Sequence, residues 1–259
     1  MSEDRTLKLK ARHYRALPID NPGYEEEIIE LPVAQTALIG MHCWNIGCPD
    51  GPPMDMNFCV DLGWPQSTEE GYRIMKEVMR PSMDAAREIG LQVIHMEADW
   101  MDEHYPDIPS RRDKTKVSKP TGRQAEMIAR AHGADYMTKS PLAKMRRCEI
   151  VAPMGDEPMV FYTDTLDEYL KSKGIETLIY TGFAADMCVL GSEGGGQAML
   201  SRGYRCILMR DGTVGVERPD TFEEKLATRY GIHIFEWKVG FSTTYQDFIT
   251  AVDGARTEA

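Results

Sequence analysis

The sequence lacks several features that would assign it to a broad class. No run of about eighteen apolar residues occurs, so we predict no membrane span. Residues 1–15 contain no apolar stretch of the kind that a secretory signal needs, so we expect no signal there. Neither a G-x-G-x-x-G fingerprint nor a phosphate-binding P-loop occurs, and we predict no cofactor. We therefore expect a soluble, cytoplasmic protein.

Positive charge is also scarce. The chain has 259 residues, with 30 Lys and Arg against 41 Asp and Glu, which gives a formal net charge of −11. Such a chain does not bind a nucleic-acid backbone or an anionic membrane without a basic patch. The one short candidate, which we interpret as a solvated loop, consists of Arg111, Arg112, Lys114, Lys116 and Lys119.

Cysteine is too sparse for a disulfide scaffold. The six cysteines contain no C-x-x-C pair, and they are Cys43, Cys48, Cys59, Cys148, Cys188 and Cys206. Cys43, Cys48 and Cys59 lie near one another in sequence, but no pair of histidines accompanies them at zinc-site spacing. We therefore predict reduced thiols, mostly buried, and no structural zinc site.

What the sequence does contain is an alternation of short apolar runs and helical patterns. We interpret residues 1–30, which are polar and charged, as an arm on the surface or on a neighbouring subunit, and residues 31–259 as one domain. The predicted strands are 36–42, 90–97, 158–162, 176–182, 204–209 and 232–237. The predicted helices are about 67–90, 124–132, 165–173, 186–202, 219–230 and 244–252. This order predicts an α/β fold, a doubly wound six-stranded parallel sheet with helices on both faces.

Ligands of such sheets bind beyond the carboxyl ends of the strands, so the residues that follow each strand are the candidates. Cys188 lies in the first turn of the predicted helix 186–202, where N–H groups and the helix dipole stabilise a thiolate and an oxyanion. The alternative is a cysteine buried there only for packing.

Residues 182–190 (GFAADMCVL), followed by 198–204 (AMLSRGY), resemble the isochorismatase-like cysteine hydrolases, a superfamily that includes nicotinamidases and N-carbamoylsarcosine amidohydrolases. The resemblance covers roughly residues 37–252. It implies a six-stranded parallel sheet in a homo-oligomer, a dimer or tetramer, and a Cys nucleophile that forms a thioester. It also implies that the N–H groups of Ala184 and Cys188 receive the oxyanion, with a cis bond expected between Phe183 and Ala184.

Two catalytic positions depart from the family. Where the family has an Asp after its first strand, in a pattern like A-L-I-V-I-D-M-Q-N, this chain has His42. The Lys that the family carries after the third strand has no counterpart, and Tyr162 is the nearest residue. We hypothesise that His42 and Cys188 form a Cys–His pair in which the imidazole is base and then acid. The alternative is that His42 is a hydrogen-bonded pocket residue in a protein that no longer catalyses.

A small-molecule pocket is expected around the candidate pair, with Trp44, Asn45, Tyr162 and Phe183 as substrate-binding residues. Its specificity would reside in the loops 43–66 and 98–121. Glu97, Asp99 and His104 could surround a divalent metal with His42, but the Asp-x-His spacing of metal-bearing nicotinamidases is missing, so we predict no metal. His95 is interpreted as a core histidine. The glycines 194–196 cost about 1 kcal/mol each inside a helix, which suggests a contact with another subunit.

Three functions follow from these residues. The first is hydrolysis of a C–N bond in a small amide or ureido compound through a Cys188 thioester. The second is an inactive binding or scaffold protein on the same fold. The third is a non-covalent hydrolase or lyase that uses His42, with Cys188 as a bystander. We favour the first, because the nucleophile turn is kept and a titratable histidine stands at the Asp position.

Overall fold

The computed structural model describes residues 5–58, 62–108 and 121–257, so Cys59 and the basic cluster at 111–119 lie outside the described residues. One eight-stranded sheet has the order β2-β1-β8-β7-β6-β3-β4-β5. Its strands are β1 (Thr6–Arg15), β2 (Gly23–Pro32), β3 (Thr36–Met41), β4 (Gln92–Met96), β5 (Met159–Val160), β6 (Thr177–Gly182), β7 (Arg205–Met209) and β8 (Phe241–Thr243).

The six strands from β3 to β8 are parallel, and helices cover both faces of the sheet, as predicted. The helices are α1 (Pro65–Ile74), α2 (Arg80–Ile89), α3 (Gly122–His132), α4 (Tyr136–Lys139), α5 (Thr163–Lys173), α6 (Cys188–Gly191), α7 (Gly196–Leu200), α8 (Leu226–Lys238) and α9 (Tyr245–Thr257). Leu38 of β3 packs into the core with α2 and α9, whereas Ala37 and Ile39 pack into the core with α5 and α8. This alternation is what a buried central strand requires.

The N-terminal segment, expected as an arm on the surface, instead extends the sheet. β1 and β2 form an antiparallel hairpin, and β1 pairs antiparallel with β8 at Arg12 and Ser242. Leu7, Leu9 and Ala11 are buried, and the residues between them are exposed lysines. The alternating pattern of a half-buried strand is therefore present, and it adds two strands to the six predicted.

The chain from Pro65 to Ile89 contains a five-residue π-helical turn, Met75–Met79, directly before Arg80 and Pro81. Pro81 has no N–H to donate to the preceding turn, which accounts for the widened turn there. The helix ends at Gly90, whose φ of 79° is left-handed, as a C-terminal glycine should be.

Two predicted elements are wrong, and a third is displaced, since the predicted helix 219–230 begins only at Leu226. Residues 232–237, predicted as the sixth parallel strand, lie inside helix α8, and the sixth strand is Phe241–Thr243. The predicted helix 186–202 is two short helices, α6 and α7, separated at 192–195. A Cβ on Gly194 would lie 2.7 Å from Met96 Sδ, and one on Gly196 2.8 Å from a ring carbon of Phe235. The close packing that offsets the cost of these glycines is therefore made with residues of the same chain. In the described part of the chain, no helix combines the length and apolar character needed to cross a membrane.

Candidate active site

The strands β3 and β6 are neighbours, and their carboxyl ends are held tightly together. The Phe183 N–H donates to the Met41 carbonyl at 2.9 Å. Gly182 has a φ of 116°, and a Cβ there would lie 2.0 Å from the Met41 carbonyl oxygen. Only glycine fits this junction. The order of the parallel strands reverses here, which is where the fold places a ligand site.

His42 follows β3 in a strained conformation, with a left-handed φ of 46°. Its side chain is buried, and neither ring nitrogen has a hydrogen-bond partner among the described residues. The ring stacks on Trp44, with centroids 5.5 Å apart and planes 20° from parallel. Burial lowers the pKa of His42 to about 3, and the charge of Arg147 acts in the same direction. The imidazole is therefore neutral at pH 7.

A buried ion pair lies behind His42. Arg147 Nη1 is 2.5 Å from Glu97 Oε1, and both side chains are almost fully inaccessible to solvent. The same guanidinium donates to the carbonyls of Gly40 at 3.2 Å and Val151 at 2.8 Å. Sequence analysis did not identify Arg147. The one sequence signal of a close contact at this point was Gly40 in the middle of β3, where a Cβ would lie 2.7 Å from Arg147 Nη2.

Glu97 connects this ion pair to the aromatic ring that covers His42. The indole N–H of Trp44 donates to Glu97 Oε2 at 3.0 Å. Burial raises the pKa of the Glu97 carboxyl, and the Arg147 guanidinium and the Trp44 N–H act against that rise. The carboxylate thus fixes the orientation of Trp44, and through it the ring plane of His42, as outer hydrogen-bond partners do in functional sites.

Cys188 begins α6, beyond the end of β6. The expected cis peptide bond between Phe183 and Ala184 is present. Burial raises the pKa of the half-buried Cys188 thiol, and interactions with the Ser192 side chain and the Ala184 backbone act against the rise. This contradicts the expectation of a dipole-stabilised thiolate. The reason is that the burial of the thiol outweighs the interactions that favour its charged form.

His42 and Cys188 line one cavity of about 510 Å³. Trp44 and Phe183, predicted to bind substrate, also line it. The other described lining residues are Leu62, Trp100, His132, Tyr136, Leu142, Ala184, Met187, Val216 and Arg218. Histidines aside, Arg218 is the one ionisable basic side chain in this set, and the set contains no carboxylate. The cavity wall is therefore largely apolar and aromatic, with a cationic group at one point.

Asn45 and Tyr162, the other two predicted substrate-binding residues, are not among the described lining residues. The Asn45 amide donates to the Asp50 carbonyl at 3.1 Å, and its oxygen accepts the Arg146 N–H at 2.8 Å. The Tyr162 hydroxyl donates to Asp102 Oδ2 at 2.9 Å. Both side chains hold loops in place near the cavity.

Two of the residues considered for a metal near His42, Glu97 and His104, have separate protein partners. Glu97 is paired with Arg147, and His104 Nδ1 contacts the Met145 carbonyl at 2.8 Å. His95, interpreted as a core histidine, is buried, and its Nε2 lies 2.8 Å from Glu157 Oε2. Within the described ranges, these side chains form no group close enough to share an ion. The structure does not bring together the set that a nicotinamidase-type metal would need.

A family model described as the isochorismatase domain matches residues 54–235, which is more than half of the chain. The chain belongs to the isochorismatase domain family. Within this family, it is 28% identical over 269 residues to the ureidoacrylate amidohydrolase RutB of Rhizobium rhizogenes, with 100% of each chain covered. It is 26% identical over 182 residues to the RutB of Stutzerimonas stutzeri, covering 66% of this chain and 67% of that protein.

Solved structures agree on the isochorismatase fold. A cysteine hydrolase from Pseudomonas syringae has a TM-score of 0.56 at 19% identity, covering 87% of this chain and 95% of that one. An isochorismatase family protein from Burkholderia thailandensis has a TM-score of 0.51 at 17% identity, covering 85% and 96%. At this level of identity the similarity concerns the fold alone. Oligomer formation and cytoplasmic location stay predictions.

Proposed function

We propose that this isochorismatase-family protein hydrolyses a C–N bond in a small ureido or amide compound, with Cys188 as nucleophile and His42 as base. One observation carries the proposal. The Cys188 thiol and a buried imidazole whose two nitrogens have no described hydrogen-bond partner line the same cavity. An imidazole and a thiol that line one cavity act as a general-base pair when the imidazole reaches the thiol in the substrate complex, because the proton can then move as the sulfur attacks.

The first half-reaction forms a covalent intermediate. The Cys188 sulfur attacks the carbonyl carbon, the π electron pair moves to oxygen, and the thiol proton passes to His42. The C–N bond then breaks with its electron pair on nitrogen, and His42 returns the proton to the leaving amine. An acyl or carbamoyl group remains on the sulfur. The low pKa of His42 favours this proton donation and opposes the earlier transfer from the thiol, so that earlier transfer has to accompany the attack of the sulfur.

The second half-reaction releases the product. Water attacks the thioester carbon, and His42 takes a proton from the water. The C–S bond breaks, and the proton passes to the departing Cys188 sulfur, so that the free thiol and neutral imidazole are restored. No metal or cofactor is needed for either step.

The oxyanion formed in both steps needs donors at the β6–α6 turn. The N–H of Cys188 has no acceptor within its own helix, because it is the first residue of α6. The backbone of Ala184 interacts with the Cys188 thiol and lowers its pKa. We assign the oxyanion to these two N–H groups, which would stabilise charge that develops beside the sulfur.

The cavity wall supports a small substrate that bears a carboxylate. Trp44, Phe183 and Trp100 offer flat apolar surface, and Arg218 offers a cation. No carboxylate pairs with Arg218 among the described residues, and its Nη1 donates to the Glu217 carbonyl at 3.1 Å. The two relatives described above are named for ureidoacrylate, a ureido acid of this class. Asn45 and Tyr162 would act by positioning the surrounding loops.

The test is a panel of ureido acids and simple amides, with ammonia release as the readout and peptide mass spectrometry of quenched samples. The proposal expects turnover and a substrate-derived mass on Cys188. Cys206→Ser, a matched thiol in β7 away from the cavity, should behave as wild type. Arg218→Met should raise KM for carboxylate-bearing substrates by about tenfold or more while changing neutral amides little, since a charge-assisted hydrogen bond would be lost.

A binding protein on the same fold is the second candidate, favoured by the raised pKa of the Cys188 thiol. It predicts that ligands bind in calorimetry with neither ammonia release nor an adduct. That result, obtained with a ligand of measured affinity, would contradict the hydrolase proposal.

A further inference from the structure

A second group of chemically active side chains lies outside the described lining of the cavity. Cys48, Asp50 and Cys148 each place one ligand atom so that all three atoms lie within 4.8 Å of one another. Both cysteines are buried and unbridged, and Asp50 is exposed. We propose that these three residues bind a borderline divalent cation of the zinc type, with solvent at the fourth position.

The distances suit such an ion. Cys148 Sγ lies 3.4 Å from Asp50 Oδ1. With Zn–S of about 2.3 Å and Zn–O of about 2.0–2.2 Å, sulfur and oxygen ligands stand about 3.5 Å apart across a tetrahedral angle. Two of the three ligand atoms therefore already have the separation that a bound ion requires. Two thiolates and a carboxylate are a donor set that zinc takes in proteins.

Asp50 is held in the orientation that a ligand needs. Its Oδ2 atom accepts the Glu149 N–H at 3.0 Å and the Asn45 amide at 3.3 Å. These bonds leave Oδ1 turned toward the Cys148 sulfur. An exposed carboxylate fixed by two donors on one oxygen, with the other oxygen against a buried thiol, has the outer-shell support typical of metal ligands.

The proposed ion would join the two segments that build one wall of the cavity. Cys48 and Asp50 follow His42 and Trp44 in the chain, and Cys148 directly follows Arg147. The Cys148 N–H already donates to the Cys43 carbonyl at 2.7 Å, and Trp44 and Arg147 form an isolated β-bridge. An ion bound to all three ligands would stabilise this wall, since binding only to the folded state raises stability.

The same two thiols could instead form a disulfide, which makes a different use of the cluster. A disulfide would leave the orientation of Asp50 without a role, whereas a cation uses all three side chains. The geometry therefore favours the cation, and the experiment separates the two.

The test uses the full chain, reduced and freed of metal with a chelator. Co²⁺ should bind once per chain and give thiolate-to-cobalt charge-transfer absorption with tetrahedral visible bands. Zn²⁺ should displace it and raise the unfolding temperature. Cys48→Ser and Cys148→Ser should abolish the charge-transfer band or weaken binding by at least about 100-fold, and Asp50→Asn by at least about tenfold. Cys206→Ser removes one cysteine, as Cys48→Ser and Cys148→Ser do, and it should bind the ion as wild type does.

Because Asp50 is exposed, Asp50→Asn keeps the test decisive even if a buried cysteine variant fails to fold. The proposal is overturned if the reduced, folded chain binds no stoichiometric ion. Binding that the Asp50 and cysteine variants leave unchanged would overturn it too. It is also overturned if unreduced protein carries a Cys48–Cys148 disulfide by mass spectrometry and the reduced form binds no metal. None of these outcomes depends on hydrolytic activity, so a failure here is distinct from a failure of the proposed function.

Discussion

The cavity has one wall at the end of β6 and another at the end of β3, and the two differ in whether backbone groups or side chains form them. At the end of β6, the turn from Gly182 to Cys188 relies on backbone geometry and a single thiol, and its residues are those that resemble the family pattern. At the end of β3, the wall is made of side chains that depart from it, with His42 backed by the buried Arg147–Glu97 pair. The comparison shows which parts of such a site can change.

A wall made of N–H groups tolerates little change, because its donors are fixed by the path of the chain. A wall made of side chains can redistribute its charges. The resemblance places an acidic and a basic residue in the family's site. In this chain, a carboxylate and a guanidinium lie outside the described cavity lining, and a neutral imidazole lines the same cavity as the thiol. We expect substitutions in the β6 wall to abolish catalysis and substitutions in the β3 wall to lower stability.

Cys188→Ala tests the β6 wall and should have the largest effect. The account expects at least about a 10³-fold loss of kcat with unchanged folding, because the nucleophile itself is removed. Ammonia release and thermal unfolding are measured together, with Cys206→Ala as the matched cysteine control. Retention of more than a few per cent of wild-type activity would contradict the assignment of the nucleophile.

Arg147→Met tests the β3 wall, and its effect should appear in stability. Removing one partner of a buried ion pair leaves Glu97 uncompensated, at a cost of about 3–5 kcal/mol in the free energy of unfolding. Denaturant titration measures the loss. The double variant Arg147→Met, Glu97→Gln should recover part of it, since glutamine still accepts the Trp44 N–H. A single variant as stable as wild type would show that the pair does not support this wall.

The pH dependence of stability tests the same wall, at the end of β3. The pKa of His42 is about 3 in the folded protein, below the ordinary value, so between about pH 6.5 and 3 the unfolded chain binds more protons. Stability is therefore lost as the pH falls through this window. His95, with a pKa of about 4, acts in the same direction. Between pH 5.5 and 4.5, wild type should lose about 1.4 kcal/mol more than His42→Asn. Equal slopes would show that the imidazole is not buried as a neutral group.

The smallest expected effect is on the pH dependence of Cys188 alkylation. Alkylation of Cys188 by iodoacetamide, followed peptide by peptide, should keep accelerating above pH 8.5, because burial raises the thiol pKa. His42→Asn should leave this profile unchanged, since the wild-type imidazole is already neutral there. A midpoint well below pH 8.5 that shifts upward in His42→Asn would instead indicate a preformed thiolate–imidazolium pair.

Much of the fold was predictable because parallel strands are short, continuous apolar runs. Five of the six parallel strands follow from such runs, and the sixth is the exception. Residues 232–237 are rich in β-branched and aromatic residues, which favours a strand. The helix α8 is instead set by the spacing of its buried Thr228, Gly231 and Phe235. Two of these three are small, so the helical period carried little hydrophobic signal. The hairpin was missed because charged residues separate its few buried ones.

The candidate site was predictable where it depends on chain geometry and unpredictable where it depends on long-range pairing. The neighbouring ends of β3 and β6 brought His42 and Cys188 to one cavity, as their positions implied. The contact of Arg147 with Gly40 spans 107 residues of sequence, and local pattern does not report such a pair. The thiol pKa was misjudged because the burial that raises it depends on tertiary packing, which the local sequence does not report.

The central claim is that His42 accepts the Cys188 proton. The most direct measurement is the single-turnover rate of adduct formation on Cys188 in His42→Asn. Asparagine suits the left-handed backbone at this position, so the fold should be kept. The account predicts a rate about 10²–10⁴-fold lower than wild type, with substrate affinity little changed. A rate within a few-fold of wild type, in a variant shown to be folded, would contradict the claim.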